Sequence, residues 1–256
     1  MGKYGIFLLL VIVTAAMANP VSNLTVYIGD DQRWANEEYD STGKTISEEG
    51  CDLVCWAMIM TQAAAANNLK DSDGKPVTYN PLELNNLLKK ENAFVNGVID
   101  LTLFVQAIEK DSAERDANNK GLDIIPPFIQ DGKNGIPAIL NTGQSVTPEI
   151  EKEIKALINK NIPVIVRVDS IDRIYNNILQ EWEVTGRYPD GHSVLITGYD
   201  ENGFTIVDPG GFTTRLDDKT YFDNTIYDLY TFRIIPEPAT MLILAAGMVI
   251  LRRSTK

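Results

Sequence analysis

The chain has 256 residues, 44% of them hydrophobic, with 23 basic side chains against 35 acidic ones and a formal net charge of -12. That length supports one domain with a full core, while the acidity repels phosphate backbones and anionic lipid and excludes nucleic acid as a partner. One histidine and two cysteines are too few for an ordinary zinc set, so neither a metal nor a cofactor is expected.

Residues 1–18 carry one basic residue, Lys3, then an apolar run from Ile6 to Val13, then Ala16-Met17-Ala18. This is the three-part form of a secretory signal peptide, and the run is too short for a membrane span. The mature chain is expected to begin at Asn19 and to form one domain over residues 19–235. Residues 24–28 read as a strand and are followed by a long loop. Leu53, Trp56, Ala57, Met60 and Ala64 recur at helical spacing and predict a helix running to about Asn67. Asn80-Pro81 caps a second helix with Leu82, Leu84, Leu87 and Leu88, and a third covers 99–108. Residues 112–145 give no clear pattern, although Pro126-Pro127 breaks the chain there. Thr147 and Pro148 start a fourth helix, with Ile150, Ile154, Leu157 and Ile158 on one face. Residues 163–168 read as a short buried strand, 169–187 as an insert, and 229–235 as the last strand. Helices first and strands later give an α+β class.

Val194 to Tyr199 and Phe204 to Val207 read as a hairpin opened by His192 and closed by Asp208. A two-residue Asn202-Gly203 turn would pair Asp208 with Thr197 and hold it roughly 17 Å from the histidine. A longer connection centred on Asp200 would set His192 opposite Asp208, and this second register is expected, because an acid facing an imidazole fixes its tautomer. Both cysteines lie in the run Gly50 to Met58. A thiol at a helix start meets free amides and the positive end of the dipole, which favours thiolate. Cys51 therefore reads as the nucleophile, with Cys55, one turn on, as the alternative. Side by side on one helix, the two are poorly placed for a disulfide.

The blocks WANEEYDSTGKTISEEGCDLVCWAMIM, NPLELNNLL, IPVIVRVD and GHSVLITGYDENGFTIVDPGG together resemble the double-glycine leader peptidase-like branch of the papain-like cysteine peptidase superfamily. The resemblance implies a papain-like fold and a peptide or protein substrate, with Cys51 as nucleophile, His192 as base and Asp208 orienting it. In that family a glutamine five residues before the block's tryptophan helps bind the oxyanion. Here Gly29 occupies the place, leaving Gln32 and Lys44 as substitute donors. Loss of that donor opens an alternative, a catalytically weak or inactive binding protein of the cell surface or its polymer matrix.

Residues 236–256 add a second address. Pro236-Glu237-Pro238, a short apolar run and the basic end Arg252-Arg253 resemble the PEP-CTERM sorting signal of Gram-negative bacteria. That resemblance implies an exosortase-type processing protease as a partner, transient membrane contact, and a final place at the cell surface or in the extracellular matrix.

Overall fold

The computed structural model describes residues 21–117 except 23 and 41, residues 121–125 except 123, and residues 144–145, 148–176, 181–210 except 202, 225–226, 228–230 and 233–234. The expected signal peptide (1–18), the sorting segment (236–256) and the capping residue Thr147 lie outside the described residues.

Two short strands, β1 (Glu38–Tyr39) and β2 (Lys44–Thr45), pair antiparallel and lead into α1 (Ile46–Glu49). This single turn is closed at its start by reciprocal capping. The Glu48 N–H donates to Thr45 Oγ1 at 3.3 Å, and the Thr45 N–H donates to the Glu48 carboxylate at 2.9 Å. Gly50 ends α1 by donating its N–H to Ile46 O and starts α2 (Cys51–Ala66). A Cβ at position 50 would lie 2.5 Å from the Ile46 carbonyl oxygen, so only glycine lets the two helices join this closely. The joint makes Cys51 the first residue of α2.

Helix α2 is buried from Leu53 through Ala64, which marks it as the central helix of the core rather than an amphipathic surface helix. α3 (Pro81–Lys90) begins as the sequence predicts, with the Glu83 N–H donating to Asn80 Oδ1 at 3.0 Å. β3 (Phe94–Val95) and β4 (Val98–Ile99) form a hairpin turned at Asn96 and Gly97, with φ of 53° and 79°. α4 (Leu101–Arg115) starts two residues later than expected. Ile99 is taken by β4, and Asp100 caps the helix by accepting from the N–H groups of Thr102 and Leu103 at 2.9 and 3.0 Å.

Beyond β5 (Ile124–Ile125), β6 (Gln144–Ser145) and α5 (Pro148–Ile158) come the long strands β7 (Val164–Asn176) and β8 (Glu181–Asp200), then β9 (Gly203–Val207). β10 (Thr225–Ile226), β11 (Asp228–Tyr230) and β12 (Arg233–Ile234) complete the described elements. The main sheet is antiparallel in the order β11-β7-β8-β9. The expected insert 169–187 is in large part strand: the β7–β8 ladder runs out to Asn176 and Glu181, through residue types such as Ile171, Tyr175, Trp182 and Val184 that favour extended backbone. Conversely, residues 24–28 join no sheet. Val26 and Ile28 are 55% and 45% exposed, with no neighbouring strand to cover them among the described residues.

The sheet separates two cores. Ile165 and Leu195 face α2 and pack with Leu53, Trp56 and Phe104, while Val164, Val166, Val194 and Ile196 face α5 and pack with Ile154 and Ile158. Alternation along β7 and β8 thus serves both layers, and each fully buried aliphatic side chain contributes about 1.5–3 kcal/mol. The result is a mixed fold of helices on an antiparallel sheet, with α2 anchored against β8.

The β8–β9 register is neither of the two the sequence offered. Asp200 pairs with Gly203, leaving only positions 201 and 202 between the strands, and the ladder shifts by one residue between Ile196 and Gly198. The expected Asp200-centred connection is therefore corrected. Leu195 pairs with Val207, and one further step places Asp208 beside Val194, diagonal to His192 on the same strand. A diagonal pair remains within reach of a long side chain.

Candidate active site

The start of α2 and the middle of β8 meet at one cleft of about 570 Å³, lined by Cys51 and Asp52 from α2, Gly191, His192 and Ser193 from β8, and Pro209 and Gly210 beyond β9. α1 and the β3–β4 hairpin form the rest of its rim. Three of the residues singled out by the sequence, Cys51, His192 and Asp208, come together here.

His192 Nε2 lies 2.8 Å from Asp208 Oδ1, and the same oxygen accepts from the Gly210 N–H at 2.7 Å. The Asp208 side chain is fully shut from solvent, while that of His192 is 17% exposed. With Nε2 committed to the carboxylate, Nδ1 is the ring atom left for a second partner. That partner is the Cys51 thiol, which is hydrogen-bonded to His192 and also accepts from the backbone of Ser193. Burial raises the thiol, but the hydrogen bond from His192 and that ring's charge outweigh it, and Cys51 ends below its ordinary value. Burial likewise works against the charged imidazole. Hydrogen bonds to Asp208 and to Cys51, with the charges of both, overcome it and push His192 up to about 10. Both shifts favour a thiolate paired with an imidazolium, with Asp208 behind the ring. The helix start adds free backbone amides and the positive end of its dipole on the sulfur side.

Cys55 is a different kind of cysteine. It is 0% exposed, its thiol donates to Ser193 O at 3.7 Å, and burial, followed by the nearby charges of Asp52, Cys51 and Asp208, pushes it well above its ordinary value. It packs in the core and does not line the cleft, so the alternative nucleophile is set aside. Gln32 and Lys44 are corrected too. Both are exposed and neither reaches the cleft. Gln32 sits in a turn held by the Arg33–Asp31 pair, and Lys44 lies on the short β1–β2 ribbon. Gly29, where the resemblance places a glutamine, does line the cleft, but its N–H is spent on Pro209 O at 2.9 Å.

Sequence reasoning missed Tyr39, Arg167 and the acids Asp30, Glu48, Glu49 and Asp52 on the cleft walls. Arg167 comes from β7, directly across from Ser193, a pairing no local pattern reveals.

Residues 128–233 match the Peptidase_C39 like family. The matched stretch contains His192 and Asp208 and ends well short of Cys51 on its N-terminal side. No curated protein matches the chain. Among solved structures it is similar to a crystal structure described as a C39-like peptidase from Bacillus anthracis, at 12% identity and a TM-score of 0.40, over 85% of this chain and 98% of that one. The family match, over less than half of the chain, supports a relationship to the papain-like cysteine peptidases.

Proposed function

We propose that the protein is a cysteine peptidase in which Cys51, His192 and Asp208 act together, exported by its N-terminal segment and sorted to the surface of a Gram-negative cell by its C-terminal one. The observation that carries the catalytic part is His192, held by Asp208 on one side and facing a Cys51 thiol of lowered pKa on the other. The Cys51 sulfur attacks a peptide carbonyl carbon and forms a C–S bond, while the carbonyl π pair moves onto oxygen. The tetrahedral intermediate collapses as His192 delivers its proton to the departing amine. Water, deprotonated by His192, then hydrolyses the thioester and frees Cys51. Asp208 keeps the ring oriented and supports its positive charge. The substrate is a peptide or protein outside the cell, and an exosortase-type protease is the processing partner of the tail.

The missing glutamine at Gly29 favours a second reading, a surface binding protein with little turnover. Hydrolysis of a peptide library by the full chain and by Cys51→Ala separates them. Turnover lost in Cys51→Ala supports the peptidase. Saturable peptide binding without turnover in either protein supports the binder.

A further inference from the structure

We propose that the Tyr39 hydroxyl is the second oxyanion donor of this site, acting with the Cys51 N–H. The proposal rests on the peptidase reading above and names a residue that reading leaves idle.

Tyr39 is 3% exposed, yet it lines the same cleft as Cys51 and His192. Its ring is held edge-on by Phe94, with centroids 5.1 Å apart, and its backbone is fixed by pairing with Lys44. Among the described residues its hydroxyl makes no hydrogen bond. Asp52 and Cys51 line the same cleft. Burial first, and then those negative charges, hold it above the ordinary phenol value, so it stays a neutral donor wherever the enzyme works.

Several other donors of the cleft are spoken for. The Ser47 hydroxyl is given to Asp30, the Gly29 N–H to Pro209, and Arg167 has partners of its own. The Cys51 N–H belongs to the first turn of α2, where amides have no intrahelical acceptor. When the sulfur adds to a carbonyl, the new oxyanion needs a second donor beside that amide, and a phenol serves this role as well as a carboxamide.

The test uses two reagents on the full chain and on Tyr39→Phe, which keeps the ring and its contact with Phe94. Iodoacetamide alkylates the thiolate by displacement, without an oxyanion, whereas a p-nitrophenyl ester acylates it through one. The expected result is acylation of Cys51 slowed about tenfold or more in Tyr39→Phe with alkylation unchanged. Unchanged acylation overturns the proposal, as does a parallel fall in both rates, which assigns Tyr39 a structural role. If wild-type Cys51 is not alkylated faster than an ordinary thiol near pH 6, the peptidase reading falls and this one with it.

Discussion

The backbone of Ser193 touches both cysteines: it donates a hydrogen bond to the Cys51 sulfur, and its carbonyl accepts from the Cys55 thiol at 3.7 Å. One residue of β8 thus meets a sulfur on the cleft and a sulfur in the core, a single helical turn apart. Cys55→Ala removes a buried sulfur and is expected to destabilise the fold by about 1–2 kcal/mol, while hydrolysis stays close to wild type. Urea unfolding together with peptide turnover checks both halves. Loss of turnover in a folded Cys55→Ala protein would contradict this division of roles.

Asp208→Asn removes the negative partner that supports the imidazolium. His192 should then lose its proton at lower pH, and Cys51, less favoured as thiolate, should gain one at higher pH. Activity requires the thiolate and the protonated ring together, so the acid limb of the pH–rate profile moves up, the alkaline limb moves down, and the plateau narrows. The accompanying loss in kcat/KM is expected to be roughly 10²–10⁴-fold. A full pH profile of the variant reads both limbs.

Gly50→Ala puts a methyl group 2.5 Å from the Ile46 carbonyl oxygen. Either α1 or the start of α2 must shift, and the second option moves Cys51 away from His192. The expected cost is about 2 kcal/mol or more in stability, with a disproportionate loss of kcat. Thermal unfolding and turnover on the same preparation measure the two effects.

The cleft walls carry Asp30, Glu48, Glu49 and Asp52 against Arg167. Peptides with Lys or Arg near the scissile bond should be preferred, and their KM should rise with salt. Glu49, exposed on the rim, is expected to contribute a few-fold to KM, seen as a higher KM and a kept kcat in Glu49→Gln. Equal cleavage of acidic and basic peptides at low salt would refute the preference.

The helices were legible because their signals are local. Asn80 and Pro148 mark starts, and Leu84, Leu87 and Leu88 mark a buried face. The position of Cys51 was legible as well, since Gly50 precedes it where the apolar repeat begins. Less legible was anything fixed by a ladder shift. The irregularity between Ile196 and Gly198 decides where Asp208 falls relative to His192, and its one local sign is Gly198 inside the strand, which marks a bulge but not the resulting register. The hydrogen bond forms although the expected register does not. Loop placement failed for a related reason: Gln32 is near Trp34 in sequence, but the Arg33–Asp31 pair fixes a turn that leaves it on the outside.

The most direct measurement is alkylation of the full chain by iodoacetamide at about pH 6, resolved cysteine by cysteine by mass spectrometry, in wild type and in His192→Ala. An ordinary thiol is almost fully protonated at that pH and reacts slowly. The paired thiolate and imidazolium predict fast labelling of Cys51, slow labelling of Cys55, and loss of the fast reaction in His192→Ala. Labelling of Cys51 no faster than that of Cys55, or equally fast without His192, would contradict the account.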